Sequence, residues 1–116
     1  MSRARSSRNV VAALTVVAVL AIAAPASAVE VVEGSGTRWR PATVSVNRHE
    51  AVRWTAVFRA HVVRSYGGGW TFRRRIAQGD SVRRTFDARG TFRFYCTIHG
   101  TLEGQRCTGM CGKVVV

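Results

Sequence analysis

The sequence has few acidic residues and lacks the patterns that catalysis requires. Six Asp and Glu residues stand against 18 Lys and Arg residues, for a formal net charge of +12. We find no nucleophile–base pair, no carboxylate dyad and no phosphate-binding loop, and therefore expect no enzymatic activity. An amphipathic helical pattern, an internal repeat and a linker are also absent. These absences favour one domain without a helical core.

The longest apolar run is too short for a typical membrane-spanning helix. It extends from Val10 to Ala24 and is interrupted by Thr15, whereas a bilayer requires about 20 residues. Three arginines precede the run and the small residues of APASA follow it, a pattern typical of an export signal. We predict a cleavable signal peptide over residues 1–28 and one domain over residues 29–116. Retention as an uncleaved anchor is the alternative.

Removal of the signal would leave a strongly basic domain. Fifteen basic and six acidic residues would remain, a net charge of +9. For an exported protein, this charge favours an acidic protein partner or an anionic surface over nucleic acid. We expect a monomer in the periplasm, the cell envelope or the extracellular space, with no membrane span after cleavage. The single basic run, Arg73 to Arg75, is interpreted as a solvated face.

Alternation of apolar and polar residues dominates the predicted domain. The segments AVRWTAVF (51–58) and TFRFYC (91–96) each place their apolar side chains on one face, as half-buried strands do. Further short strands are predicted at VEVV, ATVSV, HVVRS, DSVRRTF and GKVVV. Short strands separated by glycine and polar turns predict an all-β sandwich of seven to eight strands.

Four side chains at predicted strand ends are candidate copper ligands: His61, Cys96, His99 and Met110. Thiolate and thioether sulfurs suit Cu(I), imidazoles suit either oxidation state, and the four together are the ligand set of a blue copper centre. Taken singly, each residue also has an ordinary structural interpretation as a strand-edge histidine, buried thiol or core methionine. The combination favours a metal site. The third histidine, His49, is assigned to a polar turn.

Several passages together resemble the cupredoxins, small blue copper proteins of the plastocyanin and amicyanin type. WRPATVSVNRHEAVRW (39–54) is similar to the family's aromatic-x-Pro and Val-x-Trp opening, and HVV (61–63) to its first histidine segment. GDSVRRTFDARGTFRFYCTIHG (79–100) resembles its Tyr-Cys-x-x-His passage, and MCGKVVV (110–116) its ending. The resemblance implies a Greek-key β-sandwich and one-electron transfer between redox partner proteins. It also implies one type 1 copper ion, with equatorial ligands His61, Cys96 and His99 and axial ligand Met110.

Two features depart from the family pattern. Ten residues separate His99 from Met110, which leaves Gln105 as an alternative axial ligand because an amide oxygen can fill that position. TAVFRA (55–60) replaces the usual Asn-Asp stretch before the first histidine. That replacement bears on the hydrogen bonds that would orient His61 and the thiolate.

The odd number of cysteines also bears on the site. If Cys96 binds copper, Cys107 and Cys111 can pair in an oxidising compartment. Their bridge requires Cα atoms within about 7 Å, and it would hold Met110 near the ion. The alternative is that one of these two thiols also binds metal.

The predicted function is that of an exported blue copper protein that carries single electrons through the Cu(II)/Cu(I) couple. Copper storage or delivery outside the cytoplasm is the alternative, because it uses the same ligands. A metal-free sandwich that binds polyanions through its arginines is a third possibility.

Overall fold

The computed structural model describes residues 11–19 and 28–116. Residues 11–19 have no regular secondary structure and are exposed. Most of the predicted signal peptide, residues 1–28, lies outside the described residues, so its cleavage stays a prediction. Within the described ranges, no helix has the length and apolar character needed to cross a membrane.

Over residues 28–116, nine strands build two sheets that pack face to face. They are β1 (Val29–Ser35), β2 (Arg38–Arg40), β3 (Thr43–Ser45), β4 (Ala51–Phe58), β5 (His61–Tyr66), β6 (Arg73–Ile76), β7 (Ser81–Thr85), β8 (Thr91–Glu103) and β9 (Arg106–Val115). The four-stranded sheet has the order β2-β1-β4-β7, and the five-stranded sheet has the order β3-β9-β8-β5-β6. The predicted all-β sandwich is confirmed, with nine strands where seven to eight were expected.

The sequence pattern did not predict two features of the five-stranded sheet. Strand β6 contains the basic run from Arg73 to Arg75, whose side chains are exposed although the backbone pairs with β5. In addition, β8 and β9 extend beyond their expected ends and form a hairpin where we expected a ligand loop. A charged run and a glycine-rich polar segment lack the apolar alternation that identifies strands.

The core lies between the two sheets and is rich in aromatic side chains. Trp54 is fully buried, and its ring meets that of Phe94 edge to face with centroids 5.3 Å apart. Trp70 and Phe72 extend the same packing toward the rim, with parallel rings 5.7 Å apart. Full burial of a large apolar side chain contributes about 1.5–3 kcal/mol, so the fully buried Trp54 and Phe94 contribute most to holding the sheets together.

The pairing of β8 with β9 is irregular at the end of the sandwich where the candidate ligands of β8 lie. Tyr95 pairs with Cys111, and the next pair is Gly100 with Gly109. The four residues 96–99 therefore stand opposite the single residue Met110. Extra residues on one strand bend it and redirect its side chains, which places both ligand candidates of β8 within this bulge.

Candidate metal centre

Three of the predicted ligand residues meet at one end of the sandwich. The sulfur of Cys96 lies 3.8 Å from Nδ1 of His61 and 3.6 Å from Nδ1 of His99. The ligand atoms all lie within 4.8 Å of one another. His61 begins β5, whereas Cys96 and His99 belong to the bulge of β8. The fold thus joins parts of the chain that are 35 residues apart.

A backbone carbonyl orients the imidazole of His61. The side chain is fully buried, and its Nε2 lies 2.8 Å from the carbonyl oxygen of Phe58. Since a carbonyl only accepts, Nε2 carries the proton and donates it. Nδ1 is then the unprotonated nitrogen, and it faces the sulfur of Cys96. A histidine that ligates a metal through one nitrogen is commonly fixed in this way through the other.

The sulfur of Cys96 receives a hydrogen bond from the backbone. Cys96 is fully buried, and the N–H of Val62 donates to its Sγ at 3.4 Å. A donor in a buried site stabilises negative charge on sulfur, which is the ligand form of a cysteine. The replacement of the usual Asn-Asp stretch by TAVFRA left no predicted source for the hydrogen bonds that orient His61 and Cys96. The Phe58 carbonyl and the Val62 N–H supply these hydrogen bonds. Backbone groups supply both contacts.

Gly34 on β1 provides the space into which the His61 ring fits. A Cβ atom built on Gly34 would lie 2.7 Å from Cδ2 of His61 and 2.8 Å from Cζ3 of Trp39. The Trp39 ring packs against His61 with centroids 5.5 Å apart. Any side chain at position 34 would therefore displace one of these rings.

His99 is the partly exposed member of the group. Burial, followed by the electrostatic effects of the neighbouring His61 and Arg59, lowers the pKa of His99 below its usual range. The lowered pKa favours the neutral imidazole, which is the form that binds a metal. His99 also lines a surface cleft of about 510 Å³ together with Trp39 and Cys111.

Met110 lies in the core beside this group. It is fully buried and belongs to the same cluster of packed side chains as Cys96. Gln105, the alternative axial residue, is exposed in the turn between β8 and β9, and its side-chain oxygen lies beside Gly67. Burial thus favours Met110 over Gln105 as a fourth ligand, and its axial role stays a prediction.

The predicted disulfide is present. Cys107 and Cys111 are bonded, with Cα atoms 6.1 Å apart, although both belong to β9. Gly109 between them has a φ of 83°, a conformation that favours glycine and allows the strand to fold on itself. Because both thiols are consumed, neither is a metal ligand, and Cys96 is the free cysteine of the described residues.

The third histidine lies apart from this group. His49 is exposed in the turn between β3 and β4, where its Nδ1 lies 3.0 Å from Oδ1 of Asp87. The predicted assignment to a polar turn is confirmed.

Sequence reasoning missed three contributors to the site: the carbonyl of Phe58, the N–H of Val62 and the space at Gly34. The two backbone groups carry no residue-type signal, since any residue supplies them. Gly34 lies in the Gly-Ser-Gly segment after VEVVE, where a glycine turn between predicted strands is the simplest interpretation of the sequence. A glycine inside a strand is a signal for close approach of another group.

The donor set fits copper. One thiol that can ionise, two imidazoles with Nδ1 directed inward and a buried thioether residue are soft and borderline ligands, which suit copper in both oxidation states. The hydrogen bonds to His61 and Cys96 favour the protonation states that bind a metal. We therefore describe the group as a candidate copper site.

Comparisons with known proteins identify the fold. No protein-family model and no curated protein sequence matches the chain. Among solved structures, an amicyanin from Paracoccus versutus is 22% identical with a TM-score of 0.60, covering 76% of this chain and 80% of its own. A pseudoazurin from Sinorhizobium is 21% identical with a TM-score of 0.59, covering 76% and 72%. A purple cupredoxin from Nitrosopumilus maritimus is 20% identical with a TM-score of 0.58, covering 75% and 98%.

The chain has the cupredoxin fold, and the predicted resemblance is confirmed at that level. The similar structures share only about a fifth of their residues with it, and fold does not by itself imply function. The function of the chain therefore depends on the chemistry of its own candidate copper site.

Proposed function

We propose that this chain is an exported blue copper protein that carries single electrons between redox partner proteins. The observation that carries the proposal is the convergence of the Cys96 sulfur with Nδ1 of His61 and His99 within 4.8 Å. Met110 would be the fourth, axial ligand. When bound, copper would supply a one-electron couple between Cu(II) and Cu(I).

The buried half of the site suits fast electron exchange. His61 and Cys96 are fully buried, and a backbone hydrogen bond fixes each of them. Ligands held by packing and hydrogen bonds change position little when the charge of the site changes. Burial also excludes water, so little solvent reorganisation accompanies gain or loss of the electron.

The exposed half suits contact with a partner. His99 is partly exposed. Phe58, whose carbonyl contacts His61, and Ile98, next to His99 in the chain, have apolar side chains that are 53% and 52% exposed. Exposed apolar groups around a functional residue are typical of protein interaction sites. We place the contact with redox partners here. The net positive charge favours acidic partners and faster association at low salt.

An extracytoplasmic location belongs to the same proposal. The predicted signal peptide and the Cys107–Cys111 disulfide are both expected of a protein in an oxidising compartment. We propose the periplasm, the cell envelope or the extracellular space.

Copper reconstitution tests the proposed function. Cu(II) added to the disulfide-intact protein over residues 29–116 should give an intense thiolate-to-copper absorption band and narrow EPR hyperfine splitting. Both features should be lost in Cys96→Ser and reduced or lost in His61→Ala. A protein that binds no copper, or binds it without the thiolate band, would contradict the proposal.

Electrochemistry separates electron transfer from copper delivery. A reversible one-electron couple with fast self-exchange is expected for an electron carrier. Copper that leaves readily for an apo-acceptor, without a reversible couple, would instead support storage or delivery.

A further inference from the structure

The outer face of the five-stranded sheet is densely basic. Alternation along the strands directs the core residues Val63, Ile76 and Val114 inward, and the neighbouring side chains point outward. We call the following outward-pointing set the basic face: Arg64, Arg73, Arg75, Arg93 and Lys113. All four arginines are exposed and Lys113 is half-buried.

Cross-strand register places like charges opposite one another on the basic face. Arg64 of β5 pairs with Arg73 of β6, and Arg93 of β8 pairs with Lys113 of β9. Like charges directly opposite each other destabilise a sheet. Within residues 28–116, no carboxylate lies within 4.0 Å of any of these four groups, since the ion pair there joins His49 and Asp87. An external anion would relieve this repulsion.

The outer face of the four-stranded sheet is more balanced. There Glu33 of β1 pairs with Arg40 of β2, which are opposite charges. Arg53 and Arg83 also pair, so this face is basic at one side and mixed at the other. The four-stranded sheet therefore offers exposed arginines, in a different arrangement, for a control variant in the binding experiment below.

The basic face has the shape of a stripe. Lys113, Arg93, Arg64 and Arg73 lie on four adjacent strands, β9, β8, β5 and β6. At about 4.8 Å between strands, this set extends about 14 Å across the sheet. Arg93 stands opposite Tyr66 and Arg64 opposite Tyr95, so the stripe steps by two residues between β8 and β5. A shallow cleft of about 200 Å³ beside it is lined by Tyr66, Arg93 and Lys113. Guanidinium groups bind phosphate through two parallel hydrogen bonds, so the stripe fits an extended chain of anionic groups.

The composition of the basic face argues against a folded protein as its partner. Stable protein interfaces have an apolar centre with a polar rim. Here the exposed side chains at the centre are arginines, the tyrosines between them are buried or half-buried, and Val115, 37% exposed, is an apolar side chain at the margin. The larger exposed apolar groups, Phe58 and Ile98, belong to the segments that form the metal site. The two surfaces thus differ in the chemistry they offer.

The aromatic residues argue against a nucleic acid. Tyr95 is only 7% exposed, and Tyr66 packs against it edge to face with centroids 5.7 Å apart. Tyr95 is thus covered and Tyr66 is half-buried, so the basic face lacks the exposed row of aromatic rings on which the bases of a single strand normally stack. We propose that the basic face binds a linear polyanion with repeated phosphate groups and no aromatic bases.

Binding of inorganic polyphosphate tests this proposal. The face variant combines Arg64→Gln, Arg73→Gln, Arg93→Gln and Lys113→Gln. The control variant combines Arg38→Gln, Arg40→Gln, Arg53→Gln and Arg83→Gln on the other sheet. It loses the same number of positive charges as the face variant. We expect the face variant to bind at least about tenfold more weakly and its log–log salt slope to become shallower by about 3, as loss of four phosphate contacts implies. The control should bind within about threefold of the wild type.

Four outcomes would overturn the proposal. Equal weakening in both variants would mean that net charge alone attracts the polymer. Tighter binding of an oligothymidylate of equal charge would indicate a nucleic acid, and tighter binding of polyglutamate an acidic polypeptide. Folding of each variant is checked by circular dichroism and by the copper spectrum, which should not change. The wild type gives an independent check, because a salt slope near zero would also contradict the proposal.

Discussion

His61 and Cys96 are held by full burial and by backbone hydrogen bonds, whereas His99, at the end of the bulge, and Met110, opposite the bulge, adjoin the hairpin that joins β8 to β9. The first two side chains are fully buried and contact the Phe58 carbonyl and the Val62 N–H. His99 is partly exposed, and Met110 lies between the two cysteines of a disulfide. The comparison indicates a division of roles. In the proposed site, the core would fix the thiolate and one imidazole, and the hairpin would set access to the ion and the position of the proposed fourth ligand, Met110.

The largest expected effect comes from the core-held half. Cys96→Ser should abolish the thiolate-to-copper band completely, because a hydroxyl is not a soft anionic donor at neutral pH. Serine is similar in volume and can accept the Val62 hydrogen bond, so the fold should persist. Visible absorption of the copper-treated protein and its far-UV circular dichroism are the measurements. The matched control is Cys107→Ser combined with Cys111→Ser, which should keep the band. A band that survives in Cys96→Ser would remove the thiolate from the site.

The next effect concerns the space that β1 leaves for His61. Gly34→Ala would place a methyl group 2.7 Å from the His61 ring, and overpacking of this kind costs about 1–3 kcal/mol. We expect lower stability in urea denaturation and a weakened or shifted copper spectrum, because the imidazole must move.

Gly112→Ala is the control for this variant. A Cβ there would overlap the ring of Phe94 and not that of His61. It should lower stability while leaving the copper spectrum close to that of the wild type. If the spectrum of Gly34→Ala matches that of the wild type, the position of His61 does not depend on Gly34.

The sequence predicted the core-held half better than the hairpin half. Alternation in AVRWTAVF and TFRFYC predicted the buried strands, because a half-buried strand imposes period two on its residues. The residues after His99 are polar and glycine-rich, so nothing in their pattern distinguishes a loop from a hairpin. Their pairing follows from the register shift after Tyr95, which depends on three-dimensional contacts. For the same reason, the pairing of like charges across the strands of the basic face follows from strand register and could not be predicted from composition.

A moderate effect is expected from the hairpin disulfide. Its cysteines are only four positions apart, and the chain-entropy model gives about 2 kcal/mol for so short a loop. Cys107→Ser with Cys111→Ser should therefore lower the free energy of unfolding by at most about that amount. The blue band should remain, but the reduction potential should become more variable with temperature because Met110 is less constrained. Voltammetry over a temperature range is the measurement. An unchanged potential and temperature profile would show that the bridge does not position Met110.

The smallest expected effect comes from Met110, where substitution should alter the potential more than the fold. Met110→Leu nearly conserves volume and should cost less than about 1.5 kcal/mol. Although a thioether is a soft donor, any axial donor stabilises Cu(II) more than the absence of a donor does, so its loss should raise the reduction potential while the blue band persists. Met110→Gln offers a harder oxygen donor and should lower the potential. Opposite shifts in the two variants would assign Met110 as the axial ligand. If neither variant changes the potential, Met110 serves only in packing and the hairpin contributes His99 alone.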